Sequence, residues 1–98
     1  MIIKLFPKVG VFAENKDIAK DLRLKILTPA LKRGETVVIN FEKVEGATQS
    51  FIHALISELM RQFGSEILDQ IQFQGCNETI KAIISIVVDY MQESDESS

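Results

Sequence analysis

The chain has little of the chemistry that holds metal ions or cross-links secreted proteins. Its 98 residues include one cysteine and one histidine. A single cysteine excludes an internal disulfide bond, and the pair offers too few soft ligands for a zinc site. Gly46 and Gly75 are isolated and form no phosphate-binding pattern. The sequence therefore predicts neither a bound metal nor another cofactor.

Long apolar runs are also missing. The amino-terminal segment MIIKLFPKVGVFA is broken by Lys4, Pro7 and Lys8, which is unlike a signal peptide. The longest apolar segment, AIISIVVDYM, contains Ser85 and Asp89 and is too short to cross a bilayer. The formal net charge of −3 disfavours general binding to nucleic acid. We therefore expect a soluble, cytoplasmic protein without membrane contact.

Length and composition indicate one globular domain. A chain of 98 residues with 46% hydrophobic residues is typical of a single packed core. The final segment QESDESS is polar and acidic, a composition typical of disorder. We predict a domain over residues 1–91 and a disordered acidic tail over residues 92–98.

The first third of the chain predicts two strands and a helix. IIKLF and VGVF read as short strands around Pro7, arranged as a small hairpin. Asn15 is a suitable helix cap, and the apolar residues that follow recur at helical spacing: Ile18, Ala19, Leu22, Ile26 and Ala30. Pro29 lacks a backbone donor, which predicts a bend or a fresh turn capped by Thr28. Gly34 ends the helix.

The remaining segments alternate between strand and helix. ETVVINF is a continuous apolar run, typical of a strand buried on both faces. Thr48 can cap a helix that ends at Gly64, and ILDQIQFQG supplies another strand. Asn77 caps a last segment rich in β-branched residues. A polar stripe at spacings of three and four favours helix over strand there: Glu78, Lys81, Ser85, Asp89 and Gln92.

This alternation predicts a small α/β domain, with a mixed four-stranded sheet and three helices. In largely parallel sheets, binding sites gather at the carboxyl ends of the strands. The turns over residues 45–50 and 74–77 each follow a strand. We expect both turns to lie on one rim of the sheet.

The segment VVINFEKVEGATQSFIHALISEL, residues 37–59, resembles the central motif of STAS domains, the fold of bacterial anti-sigma factor antagonists. In that motif an apolar strand leads through a valine to an Asp-Ser-Ser-Gly loop and a helix. Val44 matches the valine, Thr48 the aspartate and Ser50 the phosphorylatable serine. Phe51 replaces the glycine, which is similar to the STAS-like domain family of unknown function, whose members carry a Ser-Phe step. The resemblance spans about residues 2–91.

The resemblance implies a non-enzymatic regulatory module of bacterial type that binds another protein. In the antagonists, a partner with a histidine-kinase-like ATP-binding fold phosphorylates the serine and breaks the complex. A phosphate on Ser50 would add nearly two negative charges, which a partner that had buried the hydroxyl would need to desolvate. The alternative is a structural or self-associating subunit, such as a homodimer, that uses the same fold without phosphorylation. An enzyme ranks third.

Six residues form the predicted partner face, or carry a modification there: Gly46, Thr48, Ser50, His53, Cys76 and Asn77. Ser50 is either a polar residue that supports the cap or a regulated serine. His53 lies one turn later and could share its face. A catalytic Ser–His pair also needs an orienting acid and an oxyanion hole, which the sequence does not indicate. Cys76 is either a small packed residue or a thiol activated by the following helix.

The first helix is the basic part of the chain. Residues 15–33 contain six basic and two acidic side chains, and Lys16, Lys20 and Arg23 fall on one stripe. Such a stripe is either a solvated helix face or a contact surface for an acidic protein or a nucleic acid.

Overall fold

A computed structural model describes residues 1–96 of the chain. It contains five strands: β1 (Ile2–Lys4), β2 (Phe12–Ala13), β3 (Val37–Asn40), β4 (Gly46–Ala47) and β5 (Ile71–Gln74). The α-helices are α1 (Phe6–Val9), α2 (Lys16–Leu22), α3 (Thr28–Lys32), α4 (Gln49–Ile52), α5 (Glu58–Phe63) and α6 (Glu78–Glu96). A π-helical turn, Arg23–Leu27, joins α2 to α3, and another, His53–Ser57, joins α4 to α5. A 3₁₀-helix spans Ser65–Gln70.

The strands form two parallel sheets rather than the one mixed four-stranded sheet that we predicted. The larger sheet has the order β1-β3-β5 and the smaller pairs β2 with β4. In the larger sheet Val38 lies opposite Ile2 on one side and Gln72 on the other. β3 is the central strand of this sheet, and its residues alternate between buried (Val37, Ile39) and partly buried (Val38, Asn40). Five helical stretches, rather than three, connect and cover these strands within the described residues.

The predicted hairpin at the amino terminus is wrong. β1 pairs with β3 and β2 pairs with β4, so the two segments do not pair with each other. Between them, Pro7 lies in the first turn of α1, where its fixed φ suits a helix and its missing N–H costs nothing. Gly10 then adopts a φ of 72° and redirects the chain.

The helical stretch over residues 16–32 begins where the sequence predicts. The Asn15 side chain accepts hydrogen bonds from the N–H groups of Asp17 and Ile18. Just before Pro29 the backbone hydrogen-bond pattern changes from α-helical to π-helical. The Thr28 N–H donates to the Arg23 carbonyl, five residues back. The predicted restart therefore takes the form of a π-turn followed by α3, with Pro29 in the first turn of α3. Thr28 itself is helical and makes no side-chain cap, so that part of the prediction is wrong.

The helical stretch over residues 49–63 and helix α6 also begin at the capping residues that the sequence predicts. Thr48 caps the stretch over residues 49–63, which ends at Gly64 with a φ of 85°. Asn77 accepts a hydrogen bond from the Ile80 N–H at the start of α6. This helix ends at Glu96, and residues 97 and 98 of the predicted tail lie outside the described residues. Among the described residues, no helix combines the length and the apolar character needed to cross a membrane.

The core contains buried side chains from both sheets and from the three long helices. Its largest fully buried side chains include Phe41, which follows β3, and Phe51 in α4. The ring of Phe41 packs against that of Phe73 in β5, with centroids 6.4 Å apart. Phe41 and Phe51 both lie within the segment that resembles the STAS motif, and they anchor in the core the two ends of its turn, residues 42–50.

Candidate functional site

The two turns predicted to share a rim are joined by a hydrogen bond. The Asn77 side-chain amide donates to the Glu45 carbonyl over 2.7 Å. The Oδ1 atom of the same side chain accepts from the Ile80 N–H over 2.9 Å. One side chain therefore caps α6 and ties it to the turn before α4.

Two glycines allow close approach of the chain at this rim. Gly75 has a φ of 68°, and an added Cβ would lie 2.7 Å from the backbone nitrogen of Glu42. Gly46 lies in β4 beneath the Phe12 ring, where an added Cβ would lie 3.0 Å from two ring carbons. Gly46 is buried, so it shapes the rim and offers little surface to a partner.

A cleft of about 450 Å³ opens beside this rim, between α2, α4 and α6. Its lining consists of Lys16, Gln49, Ser50, His53, Ala54, Ile86, Val87 and Tyr90. Lys16 supplies the α2 side, and Ile86 and Tyr90 supply the α6 side. The first two turns of the stretch over residues 49–63 lie between these sides. We call this site the helix cleft.

Thr48 and Ser50 have different surroundings despite their proximity. The Thr48 Oγ1 accepts a hydrogen bond of 3.0 Å from the Phe51 N–H, so Thr48 is the cap predicted from the sequence. Ser50 is exposed, lies in the first turn of α4 and lines the helix cleft. Its hydroxyl can therefore be reached by a partner or a modifying enzyme.

His53 contacts a serine that the sequence reasoning missed. The buried Ser57 hydroxyl donates to the His53 carbonyl, and its oxygen lies 3.0 Å from His53 Nδ1. Because the carbonyl takes the single hydroxyl proton, the Ser57 oxygen faces Nδ1 as an acceptor, which favours a proton on Nδ1 of His53. The ring also lies 6.3 Å from the Tyr90 ring, centroid to centroid. The i, i+4 spacing of His53 and Ser57 is the sequence signal that could have predicted this contact.

Arg23 connects the two π-turns. Its guanidinium donates to the Ala54 carbonyl over 3.0 Å, so a side chain from one π-turn binds the backbone of the other. Side-chain insertion into a helical ladder is a known cause of local irregularity. Arg23 thereby fixes α2 against the floor of the helix cleft, and its charge is partly buried in this role.

Cys76 lies outside the cleft lining and is half-buried. Burial raises the pKa of the Cys76 thiol above its ordinary value, and the nearby Lys81 ammonium opposes that rise only in part. Because the thiolate is the reactive form, this environment favours the packed residue over the activated thiol.

We predict that iodoacetamide labels Cys76 more slowly in the folded chain than in the urea-unfolded chain at mildly alkaline pH. The raised pKa lowers the thiolate fraction at any given pH, so the rate profile should shift to higher pH on folding. Mass spectrometry reports the reaction directly, because the chain has one cysteine. Equal or faster labelling of the folded chain would contradict the packed assignment.

The predicted site residues separate into two neighbouring groups. Ser50 and His53 line the helix cleft, whereas Cys76 and Asn77 belong to the loop before α6. In the part of the chain that the structure describes, no three His, Cys, Asp or Glu side chains could hold a metal ion together.

The family comparison covers this region. A family model described as a STAS-like domain of unknown function (DUF4325) matches residues 19–81, about two thirds of the chain. The chain belongs to this family. The match contains the strand–turn–helix segment that resembles the STAS motif, together with the loop before α6. Searches of curated proteins and of solved structures found no match.

Membership of the STAS-like family suggests a regulatory or binding module. The part of the helix cleft formed by residues 49–54 lies within the matched part of this STAS-like domain. The two sides, Lys16 on α2 and the pair Ile86 and Tyr90 on α6, lie outside it. The matched motif and the flanking helices thus meet at one surface.

Proposed function

We propose that this STAS-like domain is a non-enzymatic module that binds a protein partner through the helix cleft and its rim, under the control of Ser50. The observation that supports the proposal is the exposed Ser50 in the first turn of α4, at a cleft that also contains Lys16. A partner with a histidine-kinase-like ATP-binding fold is the candidate modifier, from the resemblance of the motif to STAS antagonists.

The physical basis is a difference in the cost of burying the modified and unmodified side chain. A serine hydroxyl at an interface can be covered at little cost when it is hydrogen-bonded. A phosphate adds nearly two charges and three strong acceptors, and it must lose its water when a partner covers it. In the free domain the phosphate stays hydrated, beside the first turn of a helix that tolerates negative charge.

Ser50→Asp is expected to weaken partner binding by about 2–5 kcal/mol if the partner covers Ser50, because the carboxylate then loses its water. Its effect on the free energy of unfolding should stay within about 1 kcal/mol. The measurement is a calorimetric titration of a candidate ATPase with wild type and variant, with melting curves alongside.

Three control variants separate charge from size and from position. Ser50→Ala should bind nearly as well as wild type, and Ser50→Asn tests size without charge. Ser85→Asp places the same charge on exposed α6 outside the cleft lining and should leave the affinity unchanged. Equal affinity of Ser50→Asp and wild type would refute the switch. Lost affinity with a collapsed melting temperature would make Ser50 a structural residue.

Self-association without phosphorylation is the second candidate. It is supported by exposed apolar side chains away from the helix cleft, Val11 and Phe12 beside the small sheet and Ile2 on the edge strand β1. Unpaired sheet edges can pair with another chain. Titrating the protein against itself in the same experiment tests this function. The expected result is self-association whose affinity is the same for wild type and Ser50→Asp.

A further inference from the structure

The α2 side of the helix cleft carries a cation without a counter-charge. On the same helical stretch Lys25 pairs with Asp21 over 3.2 Å, and just after its end Arg33 pairs with Glu35 over 2.6 Å. The ion pairs among the described residues give Lys16 no such partner, and its side chain is exposed at the cleft. Lys16 is therefore available to an anionic group of another molecule.

The α6 side of the cleft is apolar and exposed. Ile86 is 49% exposed and Tyr90 is 58% exposed. They are four residues apart in one helix and so lie on the same face, while Val87 between them is buried at the cleft floor. Contact with the His53 ring helps to position the Tyr90 ring. Exposed aromatic and aliphatic side chains of this kind are typical anchors of protein interfaces.

The charge of the cleft is opposite to that of the whole chain. The formal net charge is −3, yet the described residues that line the cleft include Lys16 and no carboxylate. Its volume of about 450 Å³ is enough for one or two side chains rather than a whole helix. Charge and shape together fit an occupant with an apolar anchor and a neighbouring negative charge.

We propose that the helix cleft binds an acidic, amphipathic segment of a partner protein. An apolar or aromatic side chain of that segment packs against Ile86 and Tyr90, and a carboxylate pairs with Lys16. This inference rests on the proposed function and specifies the chemistry of the partner. It also gives Ser50 a second means of control, because a phosphate there supplies Lys16 with an intramolecular counter-charge and repels the carboxylate.

A random peptide library displayed on phage and selected on the immobilised chain tests the proposal. We expect enrichment of peptides that combine Asp or Glu with Phe, Leu or Trp. The enriched consensus is then synthesised with a fluorescent label, and its affinity is measured by anisotropy. Lys16→Glu and Tyr90→Ser should each weaken binding by about tenfold or more, as expected for removal of an anchor. Ile86→Ser provides a second test of the apolar side.

Matched controls come from the same helical stretch as Lys16. Lys32→Glu makes the same charge change at an exposed position outside the cleft lining, and Leu24→Ser removes an apolar side chain that is 53% exposed there. Both should stay within about threefold of wild type, the range of surface substitutions outside an interface. Melting curves of all variants exclude unfolding as the cause of lost binding.

Several outcomes would overturn the inference. The first is that the selection enriches no peptide, or enriches basic ones. The second is that the consensus peptide binds the Lys16→Glu variant, or both α6 variants, as tightly as it binds wild type. The inference and the proposed switch can fail separately. If the peptide binds as expected but Ser50→Asp does not weaken that binding, the proposed control by Ser50 is refuted. If Ser50→Asp weakens the binding of an ATPase partner but Lys16→Glu does not, the inference of an acidic partner segment is refuted.

Discussion

Phe51→Gly is expected to lower the free energy of unfolding by about 4–6 kcal/mol. Phe51 is fully buried, at 0% exposure, in the first turn of α4. Removing a buried phenylalanine side chain costs about 3–5 kcal/mol, and glycine inside a helix adds about 1 kcal/mol. Small domains have a total stability of about 5–15 kcal/mol, so this substitution should remove a large fraction of the total.

Urea unfolding followed by circular dichroism measures this effect. Phe51→Leu keeps most of the buried volume and should cost about 1.5 kcal/mol or less. Phe12→Ala removes the same ring from a half-exposed position and should cost about 1 kcal/mol or less. A loss below about 2 kcal/mol for Phe51→Gly would show that the core repacks around the site. The expected result would establish that glycine, the antagonist residue at this position, cannot replace Phe51 in this domain.

Gly75→Ala is expected to lower the free energy of unfolding by about 2–4 kcal/mol. Its φ of 68° lies in the left-handed region, which costs a residue with a side chain about 1–2 kcal/mol. The new Cβ would also lie 2.7 Å from the Glu42 backbone nitrogen, where no flexible side chain can yield. The loops after β3 and β5 must then separate, which strains the hydrogen bond from Asn77 to Glu45.

Gly34→Ala is the matched control for this variant. Gly34 has a φ of 79°, and an added Cβ would meet nothing within 4 Å. Its substitution therefore measures the backbone strain alone, about 1–2 kcal/mol. Equal losses for the two variants in thermal unfolding would contradict the close contact between the two loops at Gly75.

The helix boundaries and the central strand could be predicted because their signals are local. Asn15, Thr48 and Asn77 each cap a helix through their own side chains. The left-handed Gly34 and Gly64 end two of those helices. The continuous apolar run at β3 predicted a strand buried on both faces. The strand is present, with Val37 and Ile39 buried and Val38 and Asn40 only partly buried.

The division into two sheets could not be predicted, because the strands of the small sheet are too short. β2 and β4 contain two residues each, Phe12–Ala13 and Gly46–Ala47. Two residues give no alternation to detect, and their pairing depends on contacts between distant parts of the chain. The sequence therefore led to one sheet with a hairpin, although the segment IIKLF does contain a strand.

The α6 side of the helix cleft was missed for a related reason. The sequence analysis identified the polar stripe of α6 but made no distinction among its apolar residues. The buried face consists of Ile80, Ile84, Val87 and Met91, and it leaves Ile86 and Tyr90 exposed. Periodicity shows that a helix has an apolar face, but it does not show where the neighbouring helices end and a cleft begins.

The π-turns left a signal in the spacing of buried residues. Leu22 and Leu27 are both buried although they are five residues apart. In a regular α-helix at 100° per residue, they would point about 140° away from each other. The five-residue hydrogen bonds of a π-turn return them to one face. The helical spacing noted in the sequence includes Ile26, which is half-buried, and omits the buried Leu27.

The two π-turns affect how this chain should be aligned with relatives. A π-turn contains one more residue than the α-helical turn that replaces it. When a relative has a regular helix at either place, the one-residue gap belongs inside Arg23–Leu27 or inside His53–Ser57. A gap placed elsewhere in the same helix would shift the intervening positions by one residue, about 100° around the helix. Buried residues of one chain would then be matched with exposed residues of the other, and Ser50 or Lys16 could be compared with the wrong position.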